Sequence, residues 1–139
     1  MNLHHTKSKG DLAVLKAQID LYEKGYWVAT PLTENAPFDL MINKEGVSKT
    51  VQVKYVTAKD GVIKVSFRTS WSDKNGSHIN YINKSLIDLY CVYCPDTNKC
   101  YYFDPKSFEN ENSLTLRIEQ TKNKQSKNVI WADNFTSVV

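Results

Sequence analysis

Pro37-Phe38-Asp39-Leu40-Met41-Ile42-Asn43-Lys44-Glu45-Gly46-Val47-Ser48-Lys49-Thr50-Val51-Gln52-Val53-Lys54-Tyr55 is the stretch whose reading decides the fold. Residues 38–42 predict one strand, Asn43-Lys44-Glu45-Gly46 a turn, and 50–56 the returning strand. In the second strand Val51, Val53 and Tyr55 share one face, while Gln52 and Lys54 share the other. If the two strands pair through the turn, Asp39, Gln52 and Lys54 converge on one surface. A carboxylate and an amide oxygen then stand beside an ammonium. Hard oxygen donors of this kind suit Mg²⁺, which keeps part of its hydration shell and takes phosphate to complete it. An amphipathic hairpin with a polar outer face accounts for the same alternation, and spacing alone leaves both readings open.

Upstream, the pattern changes period. Leu12, Leu15, Ile19 and Tyr22 recur at helical spacing and predict a helix over 9–23 with those residues as its buried stripe. Ser8 is the expected cap, Asp11 completes a capping box, and Gly25 ends the helix. Residues 26–29 form a short strand candidate broken by Pro31. Downstream, Asp60-Gly61 is a hairpin turn leading from 50–56 into a strand over 62–68. The polar stretch 69–83 reads as an exposed loop, or as a short helix in its second half. The most apolar strand, 86–94, turns at Pro95-Asp96-Thr97-Asn98 and returns over 99–103. Asp104-Pro105 opens one helical turn up to Phe108, a last strand follows at 114–118, and 129–135 closes the chain. One helix, then strands, then mixed short elements make an α/β or α+β arrangement, expected to be a single domain over 1–139.

Composition excludes few functions. Hydrophobic residues are 41% and charged residues 24%, ordinary for a globular protein. No apolar run approaches the ~20 residues that span a membrane. The opening Met1-Asn2-Leu3-His4-His5 lacks the pattern of a signal peptide, so a cytoplasmic protein is expected. The net charge of +3 is compatible with nucleic acid without requiring it. Lysine is unevenly spread, and Lys122, Lys124 and Lys127 lie in a segment free of acids whose donors suit phosphate. Cys91, Cys94 and Cys100 are an odd number for a disulfide framework. Strand alternation sends Cys91 and Cys94 to opposite faces, so buried thiols are expected in preference to structural zinc.

Four segments in order carry a resemblance: Gly10-Asp11-Leu12-Ala13, Gly25-Tyr26-Trp27-Val28, Pro37-Phe38-Asp39-Leu40 and Val51-Gln52-Val53-Lys54-Tyr55. Together they resemble the PD-(D/E)XK nuclease superfamily, and more closely the homing endonucleases encoded within bacterial group I introns. In that group the last acid of the motif can be glutamine, as Gln52 is here. The likeness runs more loosely through Ile87-Asp88-Leu89-Tyr90-Cys91-Val92-Tyr93 and Leu116-Arg117-Ile118. It implies a restriction-endonuclease-like core with a mixed central sheet flanked by helices. It also implies a sequence-specific double-strand DNA endonuclease dependent on Mg²⁺ or Mn²⁺.

Residue by residue, the resemblance makes Asp39 a direct metal ligand and Gln52 a neutral oxygen ligand, or the group that orients a water on the metal. The backbone carbonyl of Val53 is a further ligand. Lys54 positions the attacking water and offsets charge on the scissile phosphate. Such chemistry needs a metal because hydrolysis builds charge on the phosphate oxygens. One position departs from the pattern. Members of the group often carry a glutamate on the first helix where this chain has Val14. At ~100° per residue Val14 lies roughly 110° from the centre of the predicted stripe, so core packing does not account for it. Natural loss of activity, an introduced substitution, or a role taken over by Asp11 or Glu34 all remain open.

For holding DNA, Arg68, Ser70 and Lys74 are candidates for groove or phosphate contact, and Lys122, Lys124 and Lys127 for backbone positioning. Trp71 reads as an anchor for a long loop. A small domain reading a long target is expected to self-associate as a dimer or tetramer, so that one surface is used twice. Tyr90, Val92, Cys94, Tyr101 and Phe103, or Val129, Ile130, Trp131 and Phe135, offer apolar contact if they are not core. Two alternatives to site-specific cleavage stand beside it. One is a DNA-binding module of the same fold that no longer cuts, and the other is a nuclease selective for four-way (Holliday) junctions.

Overall fold

In the computed structural model the 37–55 stretch forms the expected hairpin, with β2 (Leu40–Lys44) antiparallel to β3 (Val47–Tyr55) and Leu40 opposite Val51. Glu45 and Gly46 both have positive φ, 53° and 82°, the backbone that lets a tight turn follow the twist of its strands. The structure describes residues 1–2, 5–120, 123 and 128–138, and only the backbone at 69–71. Lys122, Lys124 and Lys127 therefore lie outside the described residues, as do the side chains of Ser70 and Trp71.

The hairpin is the middle of a five-stranded mixed sheet ordered β1-β2-β3-β7-β8, where β1 is Trp27–Ala29, β7 Leu89–Cys94 and β8 Lys99–Phe103. β3 and β7 run parallel and the other pairs antiparallel. Every residue of β7 is buried, so this strand needs cover on both faces and takes an interior place beside β3. That placement corrects the sequence reading downstream. The Asp60-Gly61 turn does form, with Lys59 bridged to Val62. Yet β4 (Val62–Ser66) does not return along β3, whose edge β7 has taken, and pairs instead with β9 (Ser113–Arg117).

Helix α1 spans Thr6–Glu23 and lies on one face of the sheet. It starts before the predicted position because His5 caps it, its Nδ1 accepting from the Lys7 N–H at 3.2 Å. Ser8 is therefore inside the helix and the capping box with Asp11 is not made. Gly25, at φ 92°, ends it: Tyr26 N–H donates to the Leu21 carbonyl and Gly25 N–H to that of Tyr22. The buried side is also different from the one expected. Ala13, Ala17 and Leu21 face the sheet, whereas Leu15, Ile19 and Tyr22 are 56, 59 and 65% exposed. Alanine at the first two contact positions lets the helix axis approach the sheet, and the larger residues point away.

The second face of the sheet is covered by β4 and β9 together with single 3-10 turns at Lys84–Leu86, Pro105–Phe108 and Ala132–Phe135. Here Phe103 stacks on Tyr90 with centroids 5.3 Å apart and meets Phe67, Phe108 and Phe135 edge-on. Tyr90, Val92, Cys94, Tyr101 and Phe103 are all buried in this layer, and Phe135 packs against it, so these residues offer no surface for self-association. Cys91 belongs to the helix-side layer and Cys94 to this one, which separates the two thiols across the sheet.

The 69–83 stretch holds no helix before the 3-10 turn at Lys84–Leu86. Strands β5 (Arg68–Asp73) and β6 (Gly76–Tyr81) form a two-stranded ribbon standing apart from the main sheet. Its turn is made by the Asp73 carboxylate, which accepts from Asn75 N–H at 2.7 Å, and by Gly76 at φ 114°. Phe67, buried at its root, ties it to the core. The Lys84 ammonium lies over the Phe67 ring and donates to the carbonyls of Phe108, Glu109 and Glu111. No helix of the described residues is long and apolar enough to cross a membrane.

Candidate active site

Asp39 occupies the bend just before β2, between Phe38 on the second core layer and Leu40 on the helix-side layer. Its backbone N–H donates to the Val51 carbonyl at 2.9 Å, carrying the hairpin ladder one step past the strand. Its carboxylate Oδ2 then accepts from Val53 N–H at 2.8 Å. Past the end of β2 the edge of β3 has no strand to pair with, and the carboxylate takes its place. Within a strand the N–H and C=O of one residue leave by the same edge, so the Val53 carbonyl faces the side that Asp39 occupies.

Gln52 and Lys54 lie on the sheet face opposite Val51 and Val53, both half-buried. β7 supplies the ground beneath them, since Gln52 is in register with Tyr90 and Lys54 with Val92. The Tyr90 hydroxyl donates to the Ser66 carbonyl at 3.1 Å. Burial, with the Asp39 charge adding to it, pushes the Tyr90 phenol far up, so it stays protonated. Burial also raises the Asp39 carboxyl above its ordinary value, against the Val53 N–H and the Lys54 charge, which pull it down. Lys54 is lowered by burial, which its attraction to Asp39 partly offsets.

These shifts set the sign of the site's effect on stability. A carboxyl raised in the folded state favours folding below its unfolded pKa, and that contribution is lost as pH rises through the folded value. A lysine lowered in the folded state favours folding above its unfolded pKa, and that contribution is lost as pH falls through the folded value. Wherever the two groups are charged, their burial counts against folding. The combined variant Asp39→Asn with Lys54→Met keeps volume and an acceptor for Val53 N–H while removing both charges. We expect it to be more stable by about 1 kcal/mol, a rise of roughly 3 °C in Tm by calorimetry at neutral pH. A fall in Tm would show that the charges support the fold.

On the helix side, Asp39 opens into a cleft of about 310 Å³ whose walls include Val14, Thr30, Pro31, Glu34 and Phe38. Val14 thus shares a cleft with Asp39, and it also packs at the edge of the Ala13, Ala17 and Leu21 face, so core packing does account for an apolar residue there, against the sequence expectation. Of the two acids named as substitutes for a helix glutamate, Glu34 lines this cleft and Asp11 does not. A larger cleft of about 550 Å³ lies beside Asp88, Asp104 and Lys106. There Asp88 already accepts from Thr50 N–H at 2.9 Å and pairs with Lys106, so its carboxylate serves the fold.

The structure seats Asp39 on the Val53 N–H within reach of the Lys54 charge, and places Gln52 on the same sheet face as Lys54. Among the described residues no three His, Cys, Asp or Glu side chains converge, so a cation here would be held by one carboxylate, an amide oxygen and a carbonyl. Such an all-oxygen donor set fits a partly hydrated divalent ion. Arg68 and Lys74 are exposed at the root and the turn of the β5–β6 ribbon. Ser66, two residues before Arg68, bonds Tyr90, so the ribbon springs from behind the Gln52 position. Tyr90 and the ribbon escaped the sequence reading. Asn75-Gly76 flanked by Trp71-Ser72 and His78-Ile79 was the available signal for the ribbon.

The sequence matches a family model described as PD-(D/E)XK endonuclease over residues 4–138. No curated protein is significantly similar in sequence. Among solved structures, the bacterial homing endonuclease I-Ssp6803I superposes with a TM-score of 0.76, covering 94% of this chain and 87% of that one. Its identity is 24%, a likeness that carries the fold.

Proposed function

Given that the chain belongs to the PD-(D/E)XK endonuclease family, we propose that it makes sequence-specific double-strand breaks in DNA as an intron homing endonuclease, with Mg²⁺ or Mn²⁺ as cofactor. Endonuclease activity is the property of the family, whose members generally use divalent metals. The proposed reading treats the chain as a single domain acting in the cytoplasm. The observation that carries it is the seating of Asp39, fixed through Oδ2 on the N–H of Val53, the residue between Gln52 and Lys54.

In this reading Asp39, the Gln52 amide oxygen and the Val53 carbonyl hold the cation. A bound divalent ion supplies Lewis-acid stabilisation of charge on the phosphate and lowers the pKa of water. Lys54 places its ammonium beside the scissile phosphate, where partial burial strengthens its attraction to the developing charge. The Val53 N–H bond keeps the Asp39 carboxylate from turning away. Arg68, Ser70 and Lys74 on the ribbon contact the DNA, since a two-stranded ribbon fits the major groove. Lys122, Lys124 and Lys127 take the phosphates.

The test is cleavage of duplex DNA bearing the uninterrupted insertion target, in Mg²⁺ and in chelator, for this chain and for Val14→Glu. Absence of any divalent-dependent product from both would overturn the reading. Salt-dependent DNA binding without product from either would favour a module that binds but does not cut, the reading that Val14 beside Asp39 supports. Preferential cutting of a four-way junction would point to a structure-selective nuclease.

One consequence concerns Gln52. A glutamine where the motif has an acid leaves the site one negative charge poorer. Gln52→Glu is expected to bind Mn²⁺ at least about tenfold more tightly by titration calorimetry. Unchanged affinity would remove Gln52 from the ligand set.

A further inference from the structure

We propose that Leu32, on the loop between β1 and β2, is an apolar wedge that enters the minor groove of bound DNA and unstacks the base step beside the phosphate held at Asp39. The inference rests on the nuclease reading and adds to it a residue that deforms the substrate. Leu32 is 105% exposed, more than any other large apolar side chain among the described residues, the terminal Met1 included. It also lines the cleft that Asp39 enters. A single exposed leucine is ordinary on a protein surface. This one stands at the mouth of the candidate active site, where whatever reaches Asp39 must pass it.

The loop is built to hold that position. Pro31 fixes its own φ directly before Leu32. Directly after it, Asn35 N–H donates to Thr33 Oγ1 at 3.2 Å and Ala36 N–H to the Thr33 carbonyl at 3.4 Å. A tip already fixed in place loses little freedom when it is bound. The stretch Thr30-Pro31-Leu32-Thr33-Glu34-Asn35-Ala36-Pro37 contains no lysine or arginine. It therefore cannot grip the DNA backbone by charge, and what it offers at its tip is apolar surface.

Position selects the groove. Each strand of a duplex is the wall between the two grooves, so elements that flank one phosphate on opposite sides reach opposite grooves. Asp39 opens on the helix side into the Leu32 cleft, whereas the β5–β6 ribbon is rooted through Phe67 in the layer on the other face of the sheet. With the ribbon in the major groove, the Leu32 loop meets the minor groove. Leucine is one of the side chains that part base steps there, kinking the duplex toward the major groove. Such a kink bends the DNA toward the ribbon and opens the backbone beside Asp39.

The test uses duplexes carrying the uninterrupted insertion target, with 2-aminopurine placed at one position after another, and Ca²⁺ in place of Mg²⁺ to keep the strands whole. Aminopurine brightens when it unstacks. Saturating native chain should raise the fluorescence severalfold at one or two adjacent positions and nowhere else. Leu32→Ser should abolish that rise, Leu32→Met should retain it, and both should leave circular dichroism unchanged, because the side chain is fully exposed. A native chain that binds no duplex overturns the nuclease reading and the wedge with it. Bound duplex with flat fluorescence across the target, or a rise that survives Leu32→Ser, overturns the wedge alone. A rise that Leu32→Met also loses overturns its apolar basis.

Discussion

Asp39→Ala is expected to lower divalent-dependent cleavage by at least about 10³-fold. Asp39 carries the carboxylate that is bonded to Val53 N–H and feels the Lys54 charge, so its loss removes the central charge of the proposed donor set. Alanine also leaves Val53 N–H without its acceptor. Asp39→Asn separates the two effects: it keeps an oxygen for Val53 N–H and removes only the charge. Both variants should be inactive, and calorimetry should find the asparagine variant folded. Should Val14 leave too little activity to read a loss, the comparison belongs in the Val14→Glu background. Substantial cleavage by Asp39→Asn would move the metal site elsewhere. Because burial raises the Asp39 carboxyl, protons compete with the cation at higher pH than for an exposed aspartate. Mn²⁺ affinity should therefore fall on acidification before the ordinary carboxylate range is reached.

Val14→Glu is expected to act in the opposite direction, raising the single-turnover cleavage rate about 10²-fold and tightening Mn²⁺ binding. Val14 already lines the cleft that Asp39 enters, so a carboxylate there adds a second anionic donor without rebuilding the helix. Glu34 sharpens the test because it shares that cleft. If Glu34 already serves in place of a helix acid, Glu34→Gln will lower the native rate and Val14→Glu will add little. If it does not, Glu34→Gln will be silent and Val14→Glu will show its full effect. Val14→Glu without change in either rate or metal affinity would sink the accessory-ligand reading.

Local chemistry made several elements readable. Glu45-Gly46 and Asp60-Gly61 adopt positive φ as their residue types invite, and Gly25 ends α1. Asp104 caps the turn that Pro105 opens, and β8 spans the predicted 99–103. The β2–β3 hairpin and the shared face of Gln52 and Lys54 were equally legible, because period-two alternation and one short turn suffice to set them. The ribbon at 68–81 was missed because β6 is almost wholly exposed, with no buried face to impose an apolar alternation.

The sequence alone determined the β2–β3 hairpin, the shared face of Gln52 and Lys54, the place of Asp39 before it, and the family likeness. Each depends on neighbours a few residues apart, where turn geometry and alternation leave little choice. Tertiary structure decided which apolar face of α1 is inside, which strand lies beside β3, and what surrounds Val14. Leu15, Ile19 and Tyr22 looked the better core by size, but a helix pressed on a sheet needs small residues at closest approach, and Ala13 and Ala17 supply them, with only Leu12 of the expected stripe packing beside them. Likewise β7, apolar on both faces, displaced β4 from the edge of β3. Such outcomes are competitions between distant segments for one surface, and the pattern within either segment does not contain its competitor.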